Sequence, residues 1–260
     1  MSSIRLIGLD LAWSPRNNSA AVVLEAQGSH AQWITHREQL GADEEVISFL
    51  TAAAGDGAAL VAVDAPLTVP NDQGGRPVDR EITRIFGRFH AGCYPANRSR
   101  GCTRGEDIVE ALERNGFVHD PHVQQGQATR AVFEVYPHPA TISLFDLEKT
   151  LKYKPRPGRS LSFRRQELGR LRDHLLHLSQ AEPSMSCPVK VATRDLNALR
   201  GQHLKHYEDL LDAAVCAYTA YFAWYWGCHG YHIYGDTRSG YILVPVTPTM
   251  RKRLLAHRLS

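Results

Sequence analysis

Three carboxylates stand in stretches that otherwise read as buried strands. Asp10 lies inside Ile4-Arg-Leu-Ile-Gly-Leu-Asp-Leu-Ala-Trp13, Asp64 ends Leu60-Val-Ala-Val-Asp64, and Glu134 interrupts Ala131-Val-Phe-Glu-Val-Tyr136. An ionised carboxylate buried without a partner is costly, and a divalent cation compensates it directly. Alternation places Asp10 on the strand face of Leu6 and Gly8, Asp64 on that of Leu60 and Ala62, and Glu134 on that of Val132 and Tyr136. Adjacent strands carrying these acids could bring them together at one sheet edge. Taken singly, each acid reads more simply as a strand-ending turn former. As a set they point to a site.

A second acidic group sits in His206-Tyr-Glu-Asp-Leu-Leu-Asp-Ala-Ala-Val-Cys-Ala217. Asp209 and Asp212 share a helix face that continues through Ala213, Cys216, Ala217 and Ala220. Such a small-residue face lets the helix lie close to a sheet and sets both carboxylates against strand ends. Asp209 also suits N-terminal capping, whereas Asp212 lies too deep for that role. Oxygen donors without a thiolate or imidazole cage suit a hard cation, Mg²⁺ or Mn²⁺. Two such ions on shared carboxylates activate a water and stabilise a leaving oxygen. The expected chemistry is metal-assisted hydrolysis of a phosphodiester, with Asp10, Asp64, Glu134, Asp209 and Asp212 as the catalytic set. Asp10, Asp64, Asp209 and Asp212 are the expected metal ligands.

The elements that must position these acids follow from pattern. Ile4 to Trp13, Ala20 to Leu24 and Gln32 to Thr35 read as an antiparallel meander, joined by connections too short for a crossover. Asp43 to Ala53 has helical spacing, and Leu60 to Asp64 reads as a buried strand reached by that crossover helix. Three strands, a helix and a buried strand open a ribonuclease-H-like fold. Asp79 to Phe89 resumes as helix, with Arg80, Arg84 and Arg88 on one stripe. Ala91 to Gln127, rich in Gly, Asn, Arg and His, reads as an insertion or lid. A strand at Ala131 to Tyr136 is closed by Pro137 and Pro139, and helices follow at Leu161 to Leu178 and His206 to Tyr225. Tyr231 to Tyr234 and Tyr241 to Val246 suggest a terminal hairpin. The expectation is an α/β protein with a ribonuclease-H-like mixed sheet, antiparallel strands first and parallel strands after, flanked by helices. It forms a single domain over residues 1–260, with an insertion at about 70–130.

Bulk properties agree. The 260 residues are 43% hydrophobic and 22% charged, which is ordinary globular composition. A net charge of +3 says little about partners. Its distribution says more, because Lys149 to Lys205 holds 13 Lys or Arg against four acids. A basic segment beside an acidic metal site suits a nucleic-acid backbone, DNA or RNA. Lys154 is the first candidate contact, followed by Arg164 and Arg165. His138 is a secondary candidate for the substrate or for proton transfer. A solvated helix face is the competing reading for any one of these residues.

The five cysteines are irregularly spaced and lack a CxxC, so no disulfide framework is expected. His90, Cys93, Cys102, His119 and His122 do not combine at usual zinc spacing. Met1-Ser-Ser-Ile-Arg enters a strand without a secretory n-region, and Ala213 to Trp226 is too short for a membrane span. A cytoplasmic protein with free thiols is the expectation.

Several of these pieces occur together in a known family. Ile7-Gly-Leu-Asp-Leu-Ala12, Val63-Asp-Ala-Pro-Leu67, Glu134-Val-Tyr-Pro-His-Pro-Ala140, Tyr153-Lys154 and Glu208-Asp-Leu-Leu-Asp-Ala-Ala-Val-Cys-Ala217 stand in that family's order. By them the chain resembles the domain of unknown function 429 family, a group of predicted nucleases with the ribonuclease H fold. The resemblance implies kinship with Holliday-junction resolvases, whose last helix similarly presents acids three apart. It implies metal-ligand roles for Asp10, Asp64 and Asp212 with Asp209 alongside. Glu134 lies on a different strand from the second acid of the best-known relatives. Two other functions compete on this fold. A sugar-kinase-like or actin-like ATP-binding protein would need glycines beside the acids, where this chain has Leu-Ala-Trp and Ala-Pro-Leu. A non-catalytic nucleic-acid-binding module would need only the basic surface.

Overall fold

The computed structural model describes residues 3–258. Its centre is a seven-stranded mixed sheet. β1 (Ile4–Asp10), β2 (Ser19–Gln27) and β3 (His30–Leu40) form the antiparallel meander, and α1 (Asp43–Ala54) crosses to β4 (Ala59–Asp64), which lies parallel to β1. Asp43, Glu44 and Glu45 crowd the first turn of α1, where the positive end of the helix dipole favours them. Then follow α2 (Pro77–Phe86), α3 (Arg104–Arg114), the short β5 (Val118–His119) and β6 (Arg130–Glu134). β6 lies parallel to both β4 and β5. The second half of the chain supplies α4 (Pro137–Leu144), α5 (Leu161–His177), β7 (Ser184–Ser186), α6 (Val189–Ala192) and α7 (Gly201–Trp226). The hairpin of β8 (Tyr231–Asp236) and β9 (Gly240–Pro245) follows, and α8 (Pro248–Arg258) ends the described residues.

The strand order is β5-β6-β4-β1-β2-β3-β7, so the antiparallel meander adjoins the parallel strands at β1. This is the α/β architecture expected from the sequence, and it is consistent with a ribonuclease-H-like fold. The sheet is covered on both faces, as parallel strands require. On one face Leu6, Leu60, Ala62 and Phe133 pack beneath α7. On the other, Ile7, Leu9, Val61 and Val63 pack with Val46 and Leu50 of α1 and Ile108 and Leu112 of α3.

The distance between α7 and β1 is set at Gly8. A Cβ built there would lie 2.0 Å from the Ala213 carbonyl oxygen and 2.2 Å from the Ala217 amide nitrogen. The small-residue face of α7 therefore lies directly on the β1 backbone, as the spacing of Ala213, Cys216, Ala217 and Ala220 predicts. No helix among the described residues is long and apolar enough to cross a membrane.

Two elements differ from expectation. The segment expected to be an insertion or lid is packed structure: Val78, Ile82 and Phe86 of α2 and Ile108, Val109 and Leu112 of α3 are buried. Its arginines misled, because two of them are anchors and not surface charge. Arg104 is buried and donates to Asp43 Oδ1 at 2.7 Å and to the carbonyls of Ala12 at 2.7 Å and Gly41 at 2.8 Å. Pro137 and Pro139 close the strand as expected, and they do so from the first turn of α4, which needs no N–H from either. β7, only three residues long, extends the sheet beyond β3 and is too short to leave a periodic signal.

Candidate metal centre

The parallel register of β1 and β4 places Asp10 directly opposite Asp64, both on the face covered by α7. The first half of α7 then lowers Asp209 and Asp212 onto the same strand ends. Carboxylate oxygens of Asp10, Asp209 and Asp212 lie within 4.8 Å of one another, the one such group of His, Cys, Asp or Glu side chains among the described residues. Asp209 and Asp212 are 3% and 1% exposed, too little for water alone to solvate their charges. Glu208, absent from the expected site, is fully buried beside them. Its signal was present in the sequence, because Glu208 and Asp212 are one helical turn apart.

The centre carries its own cations. Lys154 Nζ lies 2.5 Å from Asp212 Oδ2, 3.3 Å from Glu208 Oε1 and 4.0 Å from Asp209 Oδ1. Lys205 pairs with Asp209, and Arg164 Nη2 stands 3.5 Å from Glu208 Oε2. Asp10, Asp64, Glu208, Asp209 and Asp212 are thus set against three basic side chains. With every acid ionised, this leaves two negative charges uncompensated. Asp10 Oδ2, Glu208 Oε1 and Asp212 Oδ2 are buried and accept no hydrogen bond, the Lys154 contacts being ion pairs without hydrogen-bond alignment. Orphaned acceptors, an all-oxygen donor set and an excess of two charges fit a hard divalent cation. Asp10, Asp209 and Asp212 could hold it directly, with Asp64 on the adjacent strand.

A short irregular strap, Lys152 to Lys154, closes the centre from the side. The Lys152 amide donates to Glu167 Oε2 at 2.7 Å, and Arg164 Nε donates to the Tyr153 carbonyl at 2.9 Å, so α5 fixes the strap's path. The buried Tyr153 hydroxyl in turn donates to Asp212 Oδ1 at 2.6 Å. Tyr153 orients Asp212 while its neighbour Lys154 neutralises it.

Protonation follows from burial. Burial, reinforced by Asp212, pushes the Asp64 carboxyl up to about 8. Burial and then Asp209 hold Asp10 well above the usual carboxylate range. For Lys154, burial opposes the charge, but Asp212 and Asp10 outweigh it and hold the ammonium well above its ordinary value. Because the folded Asp64 keeps its proton up to about pH 8 and the unfolded one releases it near 3.8, the metal-free fold binds the extra proton between those values. Its contribution to stability therefore falls as pH rises through that window. Thermal melts of metal-free protein should decline from pH 5 to pH 8.5, and added Mn²⁺ should restore more at the upper end. A Mn²⁺ effect independent of pH would show that these acids are already ionised.

Glu134 does not join the centre. β6 pairs with β4 so that Glu134 stands opposite Val63, one residue out of step with Asp64, and its side chain takes the opposite face. There it accepts from Arg76 Nη2 at 2.6 Å, from Arg76 Nη1 at 2.8 Å and from the Leu67 amide at 2.8 Å. Arg76 also holds Asp79 at 2.9 Å, and all three side chains are buried. The catalytic role expected for Glu134 is thus replaced by a structural one, tying β6 to the start of α2 and the loop after β4. Removing one partner of a buried ion pair leaves a desolvated charge. Glu134→Gln should cost about 3 kcal/mol of unfolding free energy and leave Mn²⁺ affinity unchanged, as denaturant titration and calorimetry would read.

Other expected contacts also move. A cleft of about 950 Å³ opens above Asp10 and Asp64, with Lys152, Lys154, Arg156, Arg159 and His138 on its walls. Arg164 is committed to Tyr153 and Glu208 and does not line it. Arg165 points elsewhere, donating to the Leu199 carbonyl at 2.5 Å beside a groove shared with Arg172 and Arg194. One residue apart on α5, Arg164 and Arg165 could not both face the site. His138 lies in the cleft wall with Nδ1 3.2 Å from the Thr150 hydroxyl, and burial lowers its imidazole to about 4. It is neutral at physiological pH, so it has no proton to give as an imidazolium.

Comparison with known proteins adds one assignment. No curated protein matches the chain. The family model described as "Protein of unknown function (DUF429)" matches residues 8–237, a span that takes in the end of β1 with Asp10, β4 with Asp64, the strap with Lys154 and α7 with both aspartates. The chain therefore belongs to the DUF429 family.

Proposed function

We propose that this protein is a cytoplasmic, divalent-metal-dependent nuclease that hydrolyses phosphodiester bonds of nucleic acid. The observation that carries the reading is the convergence of Asp10, Asp209 and Asp212, with orphaned buried oxygens, beside a basic cleft that Asp10 and Asp64 line. Asp10, Asp64 and Asp212 would hold Mg²⁺ or Mn²⁺, with Asp209 alongside. A cation there supplies an acidified water and counter-charge for a phosphate under attack.

The chain's own groups divide the remaining work. Tyr153 and the Gly8 contact hold Asp212 in place, so the acids need no reorganisation when a substrate arrives. Lys154 balances the acids and stands at the point where a phosphate would meet them. Lys152, Arg156 and Arg159 offer positive charge along the rim, which suits a polyanion. The kinase-like alternative needs glycine-lined backbone where phosphates approach. Trp13 and Pro66 occupy those positions after β1 and β4.

The test is cleavage of labelled single strands, duplexes, hybrids and junctions with Mn²⁺, with Mg²⁺ and with EDTA. Cation-dependent cleavage, lost in Asp212→Asn protein of unchanged circular dichroism, is the expected result. Absence of cleavage throughout, with nucleic acid still bound, would favour the non-catalytic module. In a simpler assay, Lys154→Met should change Mn²⁺ affinity by at least about tenfold, one unit charge at these distances being worth a few kcal/mol even near a surface.

A further inference from the structure

The cleft contains aromatic rings that metal chemistry does not need. Trp13, three residues beyond Asp10, is 38% exposed, and Tyr94 is 64% exposed. Both line the cleft above Asp10 and Asp64, and both border a smaller slot of about 60 Å³ that opens from it. Pro66, Val135, Tyr136 and Ile242 add apolar wall to the slot, the paired Arg76 and Glu134 and the Cys93 thiol line it too, and Asp64 lies at the junction of the two spaces. Tyr136 is a fixed wall, its hydroxyl donating to the Gly92 carbonyl at 3.1 Å. Trp13 and Tyr94 are not fixed in this way. The Tyr94 ring meets only the Arg100 guanidinium carbon, 6.0 Å from its centroid, and Trp13 has no ring partner among the described residues.

Positive charge runs beside these rings. Arg159 Nη1 is held by the Lys154 carbonyl at 2.8 Å, and Lys152 Nζ lies 3.0 Å from His90 Nδ1. Both partners are neutral acceptors. Neither these two residues nor Arg156 forms an ion pair among the described residues, so three charges remain available to an anionic ligand. Exposed aromatic rings in one cleft with unpaired cations are the kind of surface that binds unpaired nucleotides, the rings taking base faces and the cations taking phosphates. A duplex keeps its base faces stacked and cannot use such rings without being opened.

We propose that the cleft takes a single-stranded segment of nucleic acid, with a base stacked on Trp13 or Tyr94 and its phosphates against Lys152, Arg156 and Arg159. This specificity rests on the nuclease reading and goes beyond it by naming the strand state of the substrate. The acids then meet a phosphate next to the stacked base, since Asp64 borders both the slot and the cleft.

The experiment is fluorescence anisotropy with a labelled single-stranded DNA 20-mer, the same sequence as RNA, and the blunt DNA duplex, in Ca²⁺ at fixed salt. Single strands should bind at least tenfold more tightly than the duplex. Trp13→Ala and Tyr94→Ala should each weaken single-strand binding by about five- to hundredfold, the range for loss of one base–aromatic stack. Trp13→Phe should keep most of the affinity. Both rings are exposed, so these variants are not expected to unfold. Equal affinity for duplex and single strand, or alanine variants that bind like the parent, would overturn the single-strand assignment. If Mn²⁺-dependent cleavage of duplex then persists, the nuclease reading stands without it. If none of the three nucleic acids binds, the nuclease reading falls as well.

Discussion

Asp10→Asn should abolish cation-dependent cleavage, by about a thousandfold or more, and should at the same time raise the melting temperature of the metal-free protein. The activity loss is on the scale seen when one group that stabilises developing charge is removed. The stability gain has a separate origin. Asp10 Oδ2 is buried with no hydrogen-bond donor, and its carboxyl is held far above its normal range by burial and by Asp209. An amide of the same shape cannot ionise and brings two N–H donors into a ring of acceptors. Relief of an unsatisfied buried group is worth about 1 kcal/mol or more. In a chain of this size that is roughly 2–4 °C. Asp10→Ala is the control, because it too cannot ionise but adds no donor and should gain less. Differential scanning fluorimetry in EDTA and in Mn²⁺ reads both effects. If Asp10→Asn melts below the parent in EDTA, the acid is not under strain, and the case for a cation at this position weakens with it.

Gly8→Ala should be the most damaging substitution of a single methyl group in the chain. The added carbon would meet the Ala213 carbonyl oxygen at 2.0 Å and the Ala217 amide nitrogen at 2.2 Å, both of them backbone atoms of α7. Neither can rotate away, so the helix must translate from the sheet. Along that contact α7 buries Ala213, Ala217 and Ala220 completely. Overpacking of this kind costs up to about 3 kcal/mol where side chains can yield, and more is expected where only backbone is available. Moving α7 would also carry Asp209 and Asp212 away from Asp10. Urea titration should therefore show a large loss of stability, and any protein that still folds should have lost its Mn²⁺ affinity. A Gly8→Ala protein of near-normal stability and metal affinity would mean that α7 does not lie on β1 as described.

Much of the architecture was legible because it depends on local periodicity. The meander, the crossover to the Asp64 strand and the small-residue face of α7 follow from alternation, helical spacing and connection length, each a property of consecutive residues. A segment whose arginines serve the interior was misread. Arg76 and Arg104 look like surface charge in the chain but are 1% and 4% exposed in the fold. The reason is that composition records polarity and not the partners that allow a guanidinium to be buried.

The same division runs through the candidate site. The types and spacing of Asp10, Asp64, Asp209 and Asp212 already pointed to hard-cation chemistry, because burial cost and helical phase can be argued residue by residue. Glu134 shows where that reasoning ends. Alternation along a strand states which of its own residues share a face, but the register with the next strand decides which face the two strands have in common. A single step, Glu134 opposite Val63 and not opposite Asp64, sends its carboxylate to Arg76 instead of the acids. Register also set Asp10 against Asp64. The strap that delivers Tyr153 and Lys154 has no periodicity, so only packing against α5 could place it. The sequence by itself determined the donor chemistry and the elements that carry it. The tertiary structure decided which carboxylates meet, because that depends on strand register and helix approach, and neither is encoded in the spacing of any one segment.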